Sequence, residues 1–155
     1  MFEINTYNPS DVTLLIGGYA CSGWDEISIK RTTPTYKMIE GIWGKNTRVK
    51  SSNTSAMVII ALMQVSPTND VFTEIHTQDV LFGTGRIELM LQDKSGNSLF
   101  TSNTAYITGF ADKTFKDGIE FIPWSIQCLS TEVYIVGGNT RPDTQLINKA
   151  IQLFS

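Results

Sequence analysis

Charge is scarce in this chain. Asp, Glu, Lys and Arg make up 17% of its 155 residues, against about 25% in an average soluble domain. Thr, Ser, Asn and Gly fill the gap, and such a surface meets less charge repulsion when it packs against copies of itself. The net charge of −3 leaves no basic footprint for holding nucleic acid. Histidine occurs once, at His76, and cysteine twice, at Cys21 and Cys128. A zinc site needs Cys or His partners at short spacing, and these residues stand far apart. No metal or cofactor is expected. Two isolated thiols do not form a disulfide framework, so both read as buried free cysteines in a reducing compartment. No run approaches the roughly 18 apolar residues of a membrane span. The stretch Met1 to Pro9 lacks the basic and apolar regions of a secretory signal, so synthesis in the cytoplasm without export by that route is expected. No repeat or low-complexity segment is present.

Catalytic signatures are missing as well. There is no Gly-x-Ser-x-Gly elbow. Gly83-Thr84-Gly85-Arg86 lacks the lysine and the length of a phosphate loop and reads as a turn. Cys21-Ser22-Gly23-Trp24 has the wrong residue order for a cysteine-protease motif and reads as a turn with Trp24 packing. Asp25 and Glu26 point to opposite faces of a strand and share no site simply. His76 follows Ile75 in a helical stretch, where a structural contact or a solvated position is expected. The chain is not expected to be an enzyme.

What is present is β pattern. Hydrophobic residues reach 41%, and one domain of this length buries about two thirds of its unfolded surface. Val12, Leu14 and Ile16 alternate before Gly17-Gly18, and Ile27 and Ile29 share a face opposite Glu26, Ser28 and Lys30. Ala56 to Val65 is apolar on both faces and reads as a central, covered strand. Arg86 to Gln92 points Ile87, Leu89 and Leu91 inward and Arg86, Glu88 and Gln92 outward. Short strands are expected at Ser98–Thr101 and Thr104–Phe110. A long strand follows over Gly118–Leu129, with Ile122, Trp124, Ile126 and Cys128 inside. Glu132 to Val136 continues the pattern.

Two helices are expected. Ser66 caps the first, with Pro67 at its first position, and Val71, Phe72 and Ile75 form its apolar stripe. The second spans Asp143–Phe154, with Leu146, Ile147, Ala150, Ile151 and Phe154 at helical spacing. The fold class is therefore mainly β, a sandwich or barrel with a flanking short helix, a long hairpin arm and a C-terminal extension. Residues 1–138 form the domain, with the arm at 32–55. Residues 139–155 form the extension, helical and part of the same domain.

The arm follows from length. Asp25 to Glu40 stays strand-like for sixteen residues, about 50 Å, whereas a strand in a small domain spans about 20 Å. Pro34 breaks the outward path and Ser51-Ser52-Asn53-Thr54-Ser55 the return, on either side of a Gly41–Asn46 turn. Thr35 to Lys50 reads as a projecting hairpin carrying Tyr36, Met38, Ile39, Ile42, Trp43 and Arg48. Such a patch is costly on a monomer and suits an interface. If the hairpin instead folds back, these residues join the subunit's own core.

Thr47-Arg48-Val49-Lys50-Ser51, then a β-rich run, then Ser66-Pro67-Thr68-Asn69-Asp70-Val71, His76 and Asp79 resemble the core of tail tube proteins of contractile-tailed phages. The resemblance extends from Tyr7 to about Gly138. It takes in Tyr7-Asn8-Pro9-Ser10-Asp11-Val12, Gly17-Gly18, Ser22-Gly23 and Gly137-Gly138-Asn139. It is related to the tubes of pyocins and type VI secretion. The resemblance implies a homohexameric ring and helical stacking of rings into a hollow tube, with the long loop reaching the neighbouring ring. It also implies a contractile sheath outside, a baseplate hub and a tail terminator at the ends, and passage of tape measure protein and DNA without specific binding. The chain would then sit in the virion tail, be assembled in the host cytoplasm, and serve genome ejection without inserting into a membrane. The extension beyond Thr140 departs from the shorter family ending. A DNA conduit must not bind its cargo, so acidic walls favour sliding. Outward-facing Glu26 and Glu88 are candidates for the lumen, or else ordinary solvated strand residues. Two other readings stand beside this one: a pyocin or secretion-type tube without DNA, and a monomeric binding module with Trp24, Trp43 and Trp124 as stacking platforms.

Overall fold

A computed structural model describes residues 7–138 together with residues 151 and 152. The helix expected over Asp143–Phe154 thus lies outside the described residues, apart from Ile151 and Gln152, which are helical.

A 3-10 turn over Pro9–Asp11 leads into β1 (Val12–Ile16) and β2 (Tyr19–Ala20). β3 (Trp24–Arg31) is followed by a hairpin of β4 (Tyr36–Glu40) and β5 (Asn46–Lys50). β6 (Ala56–Met63), α1 (Thr68–Phe82), β7 (Ile87–Asp93), β8 (Leu99–Ile107), β9 (Phe121–Cys128) and β10 (Val133–Ile135) complete the described chain. The main sheet has eight strands in the order β2-β1-β7-β8-β9-β6-β3, with β10 beside β8. All its pairings are antiparallel. The sheet curls so that Ile27 and Ile29 of β3 line the same 380 Å³ cavity as Leu91 of β7 and Phe100 of β8. The mainly β sandwich with one helix is the fold class the alternating pattern implies.

Period-two alternation decides what is buried. Leu14, Ile16, Leu89, Ile122, Trp124, Ile126 and Cys128 all lie in the core, on the faces expected. β6 differs from expectation. Ala56, Val58, Ile60 and Leu62 are buried, but Ile59 and Met63 on the other face are 44% and 37% exposed. Strands on both sides pair its edges, yet only one face of the layer is covered. The expected break inside β8 is also absent. Ser102 is fully buried, and its hydroxyl donates to the Ser130 carbonyl at 2.6 Å. That bond lets a polar pair continue the strand instead of ending it.

Helix α1 is longer than expected, at fifteen residues, and begins at Thr68, one position later than the sequence suggests. Pro67, expected at the first helical position, holds the cap position instead and has no side-chain cap bond, while Ser66 Oγ, one residue earlier, accepts the Thr68 N–H at 3.2 Å. The same hydroxyl donates to the Ser22 carbonyl at 2.6 Å, and Thr68 Oγ1 donates to it at 3.0 Å. The β2–β3 loop is thereby clamped to the helix start. Phe72 is fully buried and meets Trp124 edge-on, with ring centroids 5.6 Å apart. Trp124 Nε1 donates to Asn69 Oδ1 at 3.0 Å. Gly83, at φ 67°, ends the helix in the left-handed region.

Gly23 is the tightest point of the clamp. Its φ is +70°, and an added Cβ would lie 2.6 Å from Ser66 Cβ. Ser66 cannot retreat without losing both of its bonds. Gly23→Ala is expected to lower stability by about 2 kcal/mol or more. A fall in the urea midpoint at unchanged slope would show it, and an unshifted midpoint would contradict the clamp.

Candidate assembly surfaces

The arm stands apart from the main sheet. Among the described residues β4 and β5 pair only with each other, from Tyr36 opposite Lys50 to Glu40 opposite Asn46. All ten strand residues are exposed. The Gly41 N–H donates to the Lys45 carbonyl at 2.8 Å and closes the tip. Ile42 and Trp43 at that tip are 99% and 91% exposed, and Met38 is 68% exposed. The fold-back reading therefore fails for the subunit alone. Cross-strand partners share a face, so Tyr36, Met38 and Arg48 lie together, with the Arg48 guanidinium 4.0 Å above the Tyr36 ring. Ile39 and Val49 occupy the other face. The six arm residues singled out from sequence thus fall on one hairpin, on two faces and a tip.

The joints are laced with polar contacts. Thr32 N–H donates to the Ser55 carbonyl at 3.1 Å, and the two hydroxyls are also bonded. Asn53 Nδ2 donates to Thr33 Oγ1 at 3.0 Å, and Ser51 N–H to the Thr35 carbonyl at 2.7 Å. The Ser- and Asn-rich return path, which breaks the ladder, also supplies the side chains that tie it.

The arm and the helix lie at opposite ends of the β3–β6 pair. Arg31 is paired with Ala56 at the arm end and Trp24 with Leu62 at the helix end. An eight-residue strand separates those ends by roughly 25 Å. Beside the helix runs a groove of about 480 Å³, lined by Asp70, Val71, Glu74, Ile75, Gln78, Thr84, Gly85 and Ile87. Sequence reasoning missed it. Among the described residues β3 is hydrogen-bonded on one side only.

Glu26 and Glu88 are both exposed, but the structure does not bring them together. Glu26 adjoins a register shift in β3, and Glu88 lies at a shift in β7, where its carbonyl accepts the Gly17 N–H at 2.8 Å. Their strands present inward faces to one cavity, so the outward faces look in different directions. The tryptophans also diverge. Trp124 is in the core, Trp24 packs against it, and only Trp43 is free, so they form no common stacking platform.

The remaining reactive groups are quiet. Both cysteines are free. Burial pushes the Cys21 thiol up to about 12. Burial also raises Cys128, partly opposed by a hydrogen bond with Ser102. His76 meets Phe110 edge-on at 4.5 Å. Among the described residues no three His, Cys, Asp or Glu side chains converge on a possible metal position. No helix among them is long and apolar enough to cross a membrane.

The fold is shared with a solved structure: a chain of the "Virion of native gene transfer agent (GTA) particle" superimposes with a TM-score of 0.59 at 14% identity, over 83% of this chain and 100% of that one. No family model matches the sequence. A curated relative does: over 148 residues the chain is 30% identical to "Structural protein ORF10" of Pseudomonas phage KPP10, covering 88% of this chain and 85% of the relative. Fold and relative together define a structural subunit of a virion. The chain belongs to the family of this phage structural protein.

Proposed function

We propose that the chain is the tail tube subunit of a contractile-tailed phage. Six copies form a ring, rings stack into a hollow tube, and the tube conducts DNA into the host when the sheath contracts. The observation that carries this reading is the free arm. A hairpin with Ile42 and Trp43 almost wholly exposed, leaving the subunit at the end opposite its helix, has the geometry to bridge from one ring to the next. The edge of β3, which no strand among the described residues pairs, supports lateral contact within a ring, since an open edge is either covered or used. Sheath, baseplate hub and tail terminator are the partners outside and at the ends. Tape measure protein and DNA occupy the lumen without specific contacts.

The test is electron microscopy of the purified protein, seeded with baseplate-capped tail fragments, alongside light scattering. Hollow tubes extending from the seeds are expected. A sample that stays monomeric beside competent seeds would contradict the proposal.

The lumen assignment has its own test. Glu26→Lys and Glu88→Lys, made singly, are each expected to assemble. The variant whose face lines the lumen slows genome delivery, because added cations bind phosphate. Normal delivery in both variants would remove both residues from the lumen.

A further inference from the structure

The arm and the groove are complementary in charge and in apolar character. The arm, residues 35–50, carries Lys37, Lys45, Arg48 and Lys50 against the lone acid Glu40. Helix α1 carries Asp70, Glu74 and Asp79 and has no lysine or arginine. Asp70 and Glu74, one helical turn apart, line the groove together with apolar Val71, Ile75 and Ile87. The arm's tip offers Ile42 and Trp43, exposed on all sides. An apolar floor with an acidic rim therefore faces, in chemistry, an apolar tip with basic flanks.

We infer that the groove between α1 and the start of β7 is the receptor for the arm tip of a second copy of this chain. Trp43 enters beside Val71, Ile75 and Ile87, while Lys37 and Lys45 approach Asp70 and Glu74. The copy's own arm does not fill the groove, since its tip touches little of the subunit and departs from the opposite strand end. A contact between different surfaces of identical subunits is heterologous, and such contacts repeat without closing when no rotation brings them round. Donor at one end and acceptor at the other is the arrangement that stacks copies along an axis. Complementary charge fixes which end meets which and disfavours arm-to-arm and groove-to-groove encounters. This inference rests on the tube reading and specifies its stacking contact.

The experiment places the photo-crosslinking residue p-benzoylphenylalanine at Trp43 and assembles that protein, mixed with isotope-labelled wild type, on tail seeds. After irradiation, mass spectrometry locates the adducts. The expected adducts join the arm of one copy to residues 68–87 of a labelled neighbour. Tubes whose adducts fall elsewhere, including on residues 139–155 or on sheath, would overturn the groove as receptor and leave the tube reading intact. No tubes from wild-type protein on competent seeds would overturn the tube reading and this contact with it. A charge exchange gives a second readout. Asp70→Lys with Glu74→Lys is expected to lose assembly, and adding Lys37→Glu with Lys45→Glu to regain it. Assembly by the acid-reversed variant alone would contradict the pairing.

Discussion

Replacing Trp43 with alanine is expected to abolish tube assembly while leaving the subunit folded. Trp43 is 91% exposed and Ile42 beside it 99%, so the isolated subunit gains almost nothing from the indole. Surface substitutions of this kind stay within about 0.5 kcal/mol. A buried tryptophan anchor at an interface is worth about 2 kcal/mol or more per contact, roughly thirtyfold in affinity, and every copy in the polymer repeats the loss. The thermal midpoint of the monomer and the length of seeded tubes, measured on one preparation, separate the two effects. Full-length tubes from Trp43→Ala would remove the arm from the stacking contact. A large fall in midpoint would mean that the arm folds back after all.

Phe72→Ala is expected to do the opposite, destabilising the subunit itself. Phe72 is fully buried in α1 and lies edge-on to Trp124. Its removal leaves a cavity between helix and sheet and costs about 3–5 kcal/mol. That is a large part of the roughly 5–15 kcal/mol that holds a domain together. The helix is pinned to β9 from a second point, through Trp124 Nε1 and Asn69 Oδ1, so loss of the ring also strains that bond. Chemical denaturation measures the outcome. Wild-type stability in Phe72→Ala would show that α1 is peripheral to folding, and the groove it forms would then lack a rigid wall.

The contrast between these two residues shows what could be read from the sequence. Strand faces were legible wherever apolar and polar residues alternate, as in β7 and β9, because the period alone assigns the buried side. The arm was legible because sixteen strand-like residues exceed the domain, and Pro34 and the Ser51–Ser55 cluster mark its joints. β6 was not legible in the same way. Ala56 to Met63 is apolar at every position, so no period distinguishes the buried Ile60 from the exposed Ile59. The continuity of β8 depended on Ser130, 28 residues distant, satisfying Ser102. The groove was hidden for a similar reason, since Ile87 joins Val71 and Ile75 only through tertiary packing. One signal was available: a fifteen-residue helix with three acids and no lysine or arginine, in a chain whose arm carries four basic residues against one acid.

Glu26 and Glu88 show a further limit. Sequence established that both point outward, and both do. Which way outward is depends on how the sheet curls, and the shared inner cavity of β3 and β7 sends the two carboxylates in different directions. The single-lysine variants are therefore informative where a double variant would not be.

Cryo-electron microscopy of intact tails from the phage that encodes this chain tests the tube assignment most directly. The account expects an inner tube of stacked six-membered rings whose density fits the β-sandwich, with each hairpin of residues 35–50 crossing to the adjacent ring and ending beside α1. An inner tube built from a different chain, with this one found in the head or baseplate, would contradict it.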